Sequence, residues 1–251
     1  MNFKHHTAIV LVEPQGALNI GSVSRAMMNF GFTDLRLVNP QDDHLGNGAR
    51  LMAVKAEPLL EQATVFPDLA SALADCHLCF GTTRRLGKYR RQFIYPDKIN
   101  GKLSQLPESG RAALVFGRED NGLTTAELDL CQVLVTIPAD QALPSLNLAQ
   151  AVCICLYEAA KTPQINISQN TPQENCPANN QELENMYQHM RRTLLEINYL
   201  DFQNPDHILR IFRRIFNRAG LNPKEINILR GLWSRIDWLN KQRLDNTKKE
   251  K

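Results

Sequence analysis

The sequence has no apolar run long enough to cross a bilayer. The longest, such as Ala151–Tyr157, stop far short of the ~20 residues that a spanning helix needs. The opening Met-Asn-Phe-Lys-His-His-Thr lacks the apolar core of a signal peptide, so a cytosolic (cytoplasmic) location without membrane partners is expected. Cysteine is sparse and badly spaced for metal. Cys76 and Cys79 form one CxxC, but no second CxxC and no histidine pair answers it, so zinc is not expected. Cys131, Cys153 and Cys155 lie in apolar stretches and are expected to be reduced core thiols. The histidines, His5, His6, His44, His77, His189 and His207, are scattered, and no metal is expected. Nucleotide signatures are missing too. No strand is followed by GxGxxG, and Gly16 and Gly21 have P-loop spacing but are followed by Ser22-Val23 where Lys-Ser/Thr is required. Neither a nucleophile elbow nor the glycine-rich loop of Rossmann-type methyltransferases is present.

What remains is an ordinary globular composition, 43% hydrophobic and 22% charged over 251 residues, enough for one or two domains. Short β-branched runs alternate with helical stretches. Strands are expected at Thr7–Glu13, Leu35–Val38, Leu78–Gly81, Ala112–Gly117 and Val133–Ile137. Between them, helices are expected at Gly21–Phe30, Asp68–Asp75, Thr125–Cys131 and Leu146–Lys161. Continuous apolar character such as Ala-Leu-Val-Phe marks strands buried on both faces, hence an α/β fold with a mostly parallel sheet and helices on both faces.

The charge balance divides the chain. Residues 1–181 carry 15 Lys and Arg against 17 Asp and Glu, whereas residues 182–251 carry 14 against 9. The basic C-terminal part makes nucleic acid a candidate partner. Residues 162–181 are rich in Asn, Gln and Pro and read as a polar linker between a domain at 1–161 and a small all-helical extension at 182–251. Asn204-Pro205 and Asn222-Pro223 each place an N-cap Asn before a proline at the first helical position, with Glu225 completing a capping box. In the helix Ile208–Ala219, Ile208, Leu209, Ile211, Phe212, Ile215 and Phe216 share one arc; Arg210, Arg213, Arg214 and Arg218 take the other. The charged tail Asn246–Lys251 is expected to fray.

In an open parallel sheet, ligands bind where the strands end. Three segments at such ends stand out together: Asn19-Ile20-Gly21-Ser22-Val23-Ser24-Arg25-Ala26; Leu114-Val115-Phe116-Gly117-Arg118-Glu119 through Gly122-Leu123; and Ile137-Pro138 followed by Ser145-Leu146-Asn147-Leu148-Ala149. Their order and content resemble the SPOUT superfamily of RNA methyltransferases, in its TrmH-like 2′-O-methylating branch and, within it, the TrmJ family. The polar linker followed by a helical extension is similar to that family's layout.

The resemblance implies a trefoil knot, one of the rare departures from unknotted topology, an S-adenosylmethionine (S-adenosyl-L-methionine) cofactor, a homodimer and a tRNA substrate methylated at nucleotide 32. It places the cofactor at Thr82, Thr83, Arg84, Gly117, Ile137, Pro144, Ser145 and Leu146. Arg25 is implied as the catalytic residue, with Asn19, Glu119, Ser145 and Asn147 orienting it and the ribose. Guanidinium stays protonated, so Arg25 is better suited to clamping phosphate and stabilising alkoxide charge than to acting as a base. Arg85, Lys88, Arg90 and Arg91, with Arg210, Arg213, Arg214 and Arg218, are the expected RNA contacts. Two features depart from the family pattern: Pro144 where a serine is usual, and Leu-Gly-Lys-Tyr-Arg-Arg after Arg85. A ribosomal RNA or another tRNA nucleotide as target, and a non-catalytic RNA-binding knot, are the alternative readings. The Ser22–Phe30 and Leu146–Lys161 helices are the expected dimer faces.

Overall fold

The computed structural model describes residues 3–84, 93–161 and 176–249, the last six without their side chains. The chain forms two compact units, Met1–Cys176 and Pro177–Lys251. In the first, the order is β1 (Thr7–Val12), α1 (Ala17–Phe30), β2 (Asp34–Val38), α2 (Asn47–Ala53), α3 (Glu57–Glu61), β3 (Thr64–Phe66), α4 (Leu69–Leu73), β4 (Leu78–Thr82), α5 (Ile99–Leu103), β5 (Ala112–Phe116), α6 (Thr125–Asp129), β6 (Val133–Val135) and α7 (Leu148–Ala160). The second holds α8 (Asn180–Glu196), α9 (Asp206–Ala219) and α10 (Pro223–Lys249).

All pairings in the six-stranded sheet are parallel, and the strand order is β3-β2-β1-β5-β4-β6. Alternation along the central strand builds two cores. Ile9 and Leu11 of β1 face one side with α1, α2, α3, α5 and α7; Ala8, Val10 and Val12 face the other with α4 and α6. The apolar runs read as doubly buried strands are therefore buried by helices on both faces. Five strands fall where expected, within two residues. Strand β3 was not expected, because a three-residue edge strand carries almost no pattern. Short helices α2, α3 and α5 were also not anticipated.

The close packing of α1 on α2 explains Gly21. A Cβ there would sit 2.1 Å from the Ala49 carbonyl oxygen. Helix α1 ends at Gly31 in the left-handed conformation, φ 80°, which glycine adopts without strain. Cys76, Cys79, Cys131 and Cys155 are buried thiols, but Cys153 is exposed. Two residues along a helix is about 200° around it, so Cys153 and Cys155 cannot both face the core.

The second unit packs around Met186, Tyr187, Met190 and Trp233. Asn222 and Glu225 form the expected reciprocal cap at the start of α10. Asn204 does not cap α9; Pro205 stands at that position with no side-chain cap. The charged tail continues α10 as helix to Lys249 rather than fraying there. Ile211 and Ile215 of α9, expected on the inner arc, are 40% and 44% exposed, while Arg213 turns inward. It pairs with both Glu184 oxygens and lies 4.3 Å over the Tyr187 ring. Most of the expected linker, residues 162–175, lies outside the described residues.

Candidate active site

The segments following β4, β5 and β6 close around a cleft of ≈ 830 Å³, its open mouth included. Thr82, Thr83, Arg84, Gly117, Ile137, Pro144, Ser145 and Leu146, all eight residues assigned to the cofactor from sequence, line it. Its apolar walls are Val135, Ile137, Leu146 and Leu148; Arg118, Glu119, Asp120 and Asn121 bring polar groups.

Local packing requires glycine in these loops. A Cβ on Gly117 would lie 2.2 Å from the Gly122 carbonyl carbon, so the loop between them folds back on itself only without a side chain. Gly122 has φ 66°. Gly81 is filled from behind by Cys131, whose Sγ would be 2.9 Å from an added Cβ. The loop is then fixed by Arg118, which pairs with Glu13 at 2.8 Å and Glu127 at 3.0 Å. The Arg118 hydrogen bond holds the Glu13 carboxyl below its ordinary value; Glu127 is pushed up by burial, but its bonds to Arg118 and Thr124 win and it too is lowered. Glu13 stands at φ 46°, strained for a non-glycine, at the end of β1. Sequence reasoning did not find this clamp. Its only trace was an acidic residue closing an apolar run and an arginine beside the motif glycine.

Helix α1 carries the first motif to the cleft's rim. The Asn19 side-chain amide donates to Glu119 Oε1 at 2.8 Å, and its oxygen accepts from Asn147 Nδ2 at 2.9 Å. Gln15 N–H donates to Glu119 Oε2 at 3.0 Å. Asn147 also caps α7 through Ala149 and Gln150, so the helix starts two residues later than expected. One continuous chain, Asn147–Asn19–Glu119, thus joins three sequence-distant motifs. Arg25 lies beyond it. It is exposed on α1, does not line the cleft, and has no hydrogen-bond or ion-pair partner among the described residues. Two expected donors are already engaged: the Thr82 hydroxyl donates to Val115 O and Thr83 N–H to Val135 O, each at 2.9 Å. Arg84, Arg210, Arg214 and Arg218 are exposed. Arg85, Lys88, Arg90 and Arg91 lie outside the described residues.

Residues 6–157 match the SpoU rRNA methylase family, and residues 181–249 match the C-terminal domain of the tRNA methyltransferase TrmJ. The chain belongs to the SpoU methylase family. It is similar to the tRNA (cytidine/uridine/adenosine-2′-O-)-methyltransferase TrmJ of Pseudomonas aeruginosa, 36% identical over 89% of this chain and 91% of that one. The tRNA (cytidine/uridine-2′-O-)-methyltransferase TrmJ of Pectobacterium atrosepticum is 37% identical over 91% and 95%. Among solved structures, TrmJ from Z. mobilis ZM4 superposes with a TM-score of 0.81 at 35% identity, covering 92% of this chain and 99% of that one. The SpoU family match spans the strands and loops that build the cleft. Among the described residues no helix is long and apolar enough to cross a membrane, and no group of three or more His, Cys, Asp or Glu is arranged to hold a metal.

Proposed function

We propose that this methylase transfers a methyl group to a ribose 2′-hydroxyl of tRNA, at cytidine or uridine 32 of the anticodon loop, from S-adenosylmethionine, as a cytoplasmic homodimer with a trefoil-knotted sheet. The observation that carries this reading is the cleft itself: the loops after β4, β5 and β6 meet around it, in a chain similar along most of its length to tRNA ribose methyltransferases. The similarity extends through the C-terminal unit, which favours tRNA over ribosomal RNA.

The cleft's donor set fits the cofactor. Loop backbone at Gly117 and at Ser145-Leu146 would hold its ribose and adenine edges, and Ile137 with Leu146 would supply the apolar walls. When bound, S-adenosylmethionine supplies a sulfonium methyl that is already electrophilic. The protein's task is then positioning, which can contribute roughly 7–11 kcal/mol. Arg25 clamps the phosphate beside the target and stabilises charge developing on the 2′-oxygen. Asn19, held between Asn147 and Glu119, fixes the helix that carries Arg25, and Ser145 on the cleft wall orients the ribose. A phosphate oxygen takes the proton. The exposed side chains Leu18, Met28, Ile154 and Tyr157 on α1 and α7 support these helices as the dimer faces.

The test is methyl transfer to unmodified tRNA transcripts, with ribose methylation mapped nucleotide by nucleotide, alongside transcripts carrying 2′-deoxyribose at position 32. Transfer abolished by that single deoxy substitution is the expected result. Methylation retained on it moves the target elsewhere, and transfer only to ribosomal RNA overturns the tRNA reading.

A further inference from the structure

Helix α1 begins without a cap of its own. Its N-cap position is Gly16, which has no side chain to accept the free N–H groups of the first turn. The acceptor comes from elsewhere. Asp42, on the loop after β2, takes the Ala17 N–H on Oδ2 at 2.8 Å and steadies itself by accepting the Asp43 N–H on Oδ1, also at 2.8 Å. The same loop is stitched to the segment before α1 by Gln41 N–H to Pro14 O at 3.0 Å. On the other side, Glu119 of the β5 loop holds Gln15 N–H and the Asn19 amide. Strand order puts β1 between β2 and β5, so two carboxylates from the flanking strands grip one short segment from opposite sides.

Resting on the function proposed above, we infer that Asp42 is a positioning residue for the methyl transfer: with Glu119 opposite, it fixes the first turn of α1 so that Asn19 meets Asn147 and Glu119. A carboxylate at a helix N-terminus also complements the helix dipole. Hydrogen bonds from the Ala17 and Asp43 amides hold the Asp42 carboxyl below its ordinary value, so it stays charged at neutral pH. Asp42 does not line the cleft. Its effect reaches the reaction only through α1.

Three variants test this. Asp42→Ala removes the grip. Asp42→Asn keeps an acceptor oxygen. Asp42→Ala combined with Gly16→Ser anchors the same turn from within: Gly16 is extended at φ −129°, ψ 124°, as an N-cap must be, and an added Cβ meets nothing closer than Asn19 Nδ2 at 3.7 Å. With unmodified tRNA transcript and S-adenosylmethionine, Asp42→Ala should lower kcat about fivefold, the size of a lost helix cap, with cofactor Kd by calorimetry within about twofold. Asp42→Asn and the double variant should return kcat to within about twofold of the parent, as alternative caps do. Hydrogen exchange over residues 15–22 reads the grip without the reaction and should quicken in Asp42→Ala alone. Unchanged kcat and exchange in Asp42→Ala overturn the inference, as does a loss of cofactor affinity parallel to kcat or a double variant no better than the single one. A parent protein that methylates no tRNA overturns the function instead, and the exchange rates then decide on the grip.

Discussion

The two ends of the parallel sheet use charge in opposite ways. At the amino ends, Arg36 is almost fully buried and pairs with Asp34 at 2.9 Å and Asp75 at 2.6 Å, while Arg111 bridges the same two carboxylates at 2.8 and 2.9 Å. Arg36 also donates to the Ala72 carbonyl. Each of these four charges has a protein partner, and none of the four lines the cleft described above. At the carboxyl ends, Arg118 is similarly closed by Glu13 and Glu127, but the neighbouring groups are arranged around space: Glu119, Asp120 and Asn121 line the cleft, and Arg25 is exposed beyond it. Ion pairing alone therefore does not distinguish scaffold from site. What does is whether the network closes on itself or leaves polar groups directed at an opening.

The largest expected effect falls on the closed end. Arg36→Ala leaves Asp34 and Asp75 with only Arg111 and removes a buried guanidinium, so it should cost about 3–5 kcal/mol of stability. Denaturant unfolding measures it, and cofactor affinity of the remaining folded protein should match the parent. At the open end the pattern reverses. Arg25→Ala should leave the unfolding midpoint within experimental error and the cofactor Kd within a few-fold, yet reduce kcat by about 10²–10³, the scale of losing one transition-state donor. Arg25→Lys should recover little, because a point charge does not reproduce a bidentate clamp. If Arg25→Ala unfolded the protein or Arg36→Ala selectively stopped turnover, the division between the two ends would fail.

A smaller effect comes from acid. Burial pushes the Asp75 carboxyl up, but Arg36 and then Arg111 outweigh it and hold it at about 2, against an ordinary 3.8. Folding thus favours the charged form. The stabilisation is complete above 3.8 and is lost as pH falls from there through about 2. Thermal unfolding at pH 5, 3.5 and 2.5, taken as about the span of that titration, should show a steeper loss in the parent than in Arg36→Ala. Equal slopes would mean that Asp75 is not the group responsible.

The same contrast decides what was legible in the sequence. Strands β1, β2, β4, β5 and β6 announce themselves as apolar runs, since burial on both faces leaves nothing polar to confuse the pattern. The cleft was legible because its loops carry recognisable motifs in order. The links between those loops were not. Asn19 meets Glu119 across 100 positions and Asn147 across 128, and Asp42 reaches Ala17 across 25; no periodicity encodes such pairings. Arg213 makes the same point on a helix. Its place on the polar arc of α9 says it is outside, yet Glu184, 29 residues away on α8, and the Tyr187 ring hold it inward.

Helix α9 therefore repeats the comparison at small scale, and its last arginine gives the finest test. Arg213 is scaffold: half-buried, paired with Glu184 and stacked over Tyr187, whose hydroxyl donates to Asn217 at 3.0 Å. Arg218 is exposed in the last turn of the same helix. If the C-terminal unit follows the phosphate backbone of tRNA, Arg218→Gln should remove one phosphate contact. The slope of log affinity against log salt should then become shallower by about 0.7–0.9, with unfolding and methyl transfer at saturating tRNA unchanged. Arg213→Gln should do the converse, lowering the unfolding midpoint of the C-terminal unit while leaving the salt slope as it was. Both variants flattening the slope alike would show that Arg213 opens its pair to meet RNA; neither doing so would remove Arg218 from the phosphate contacts.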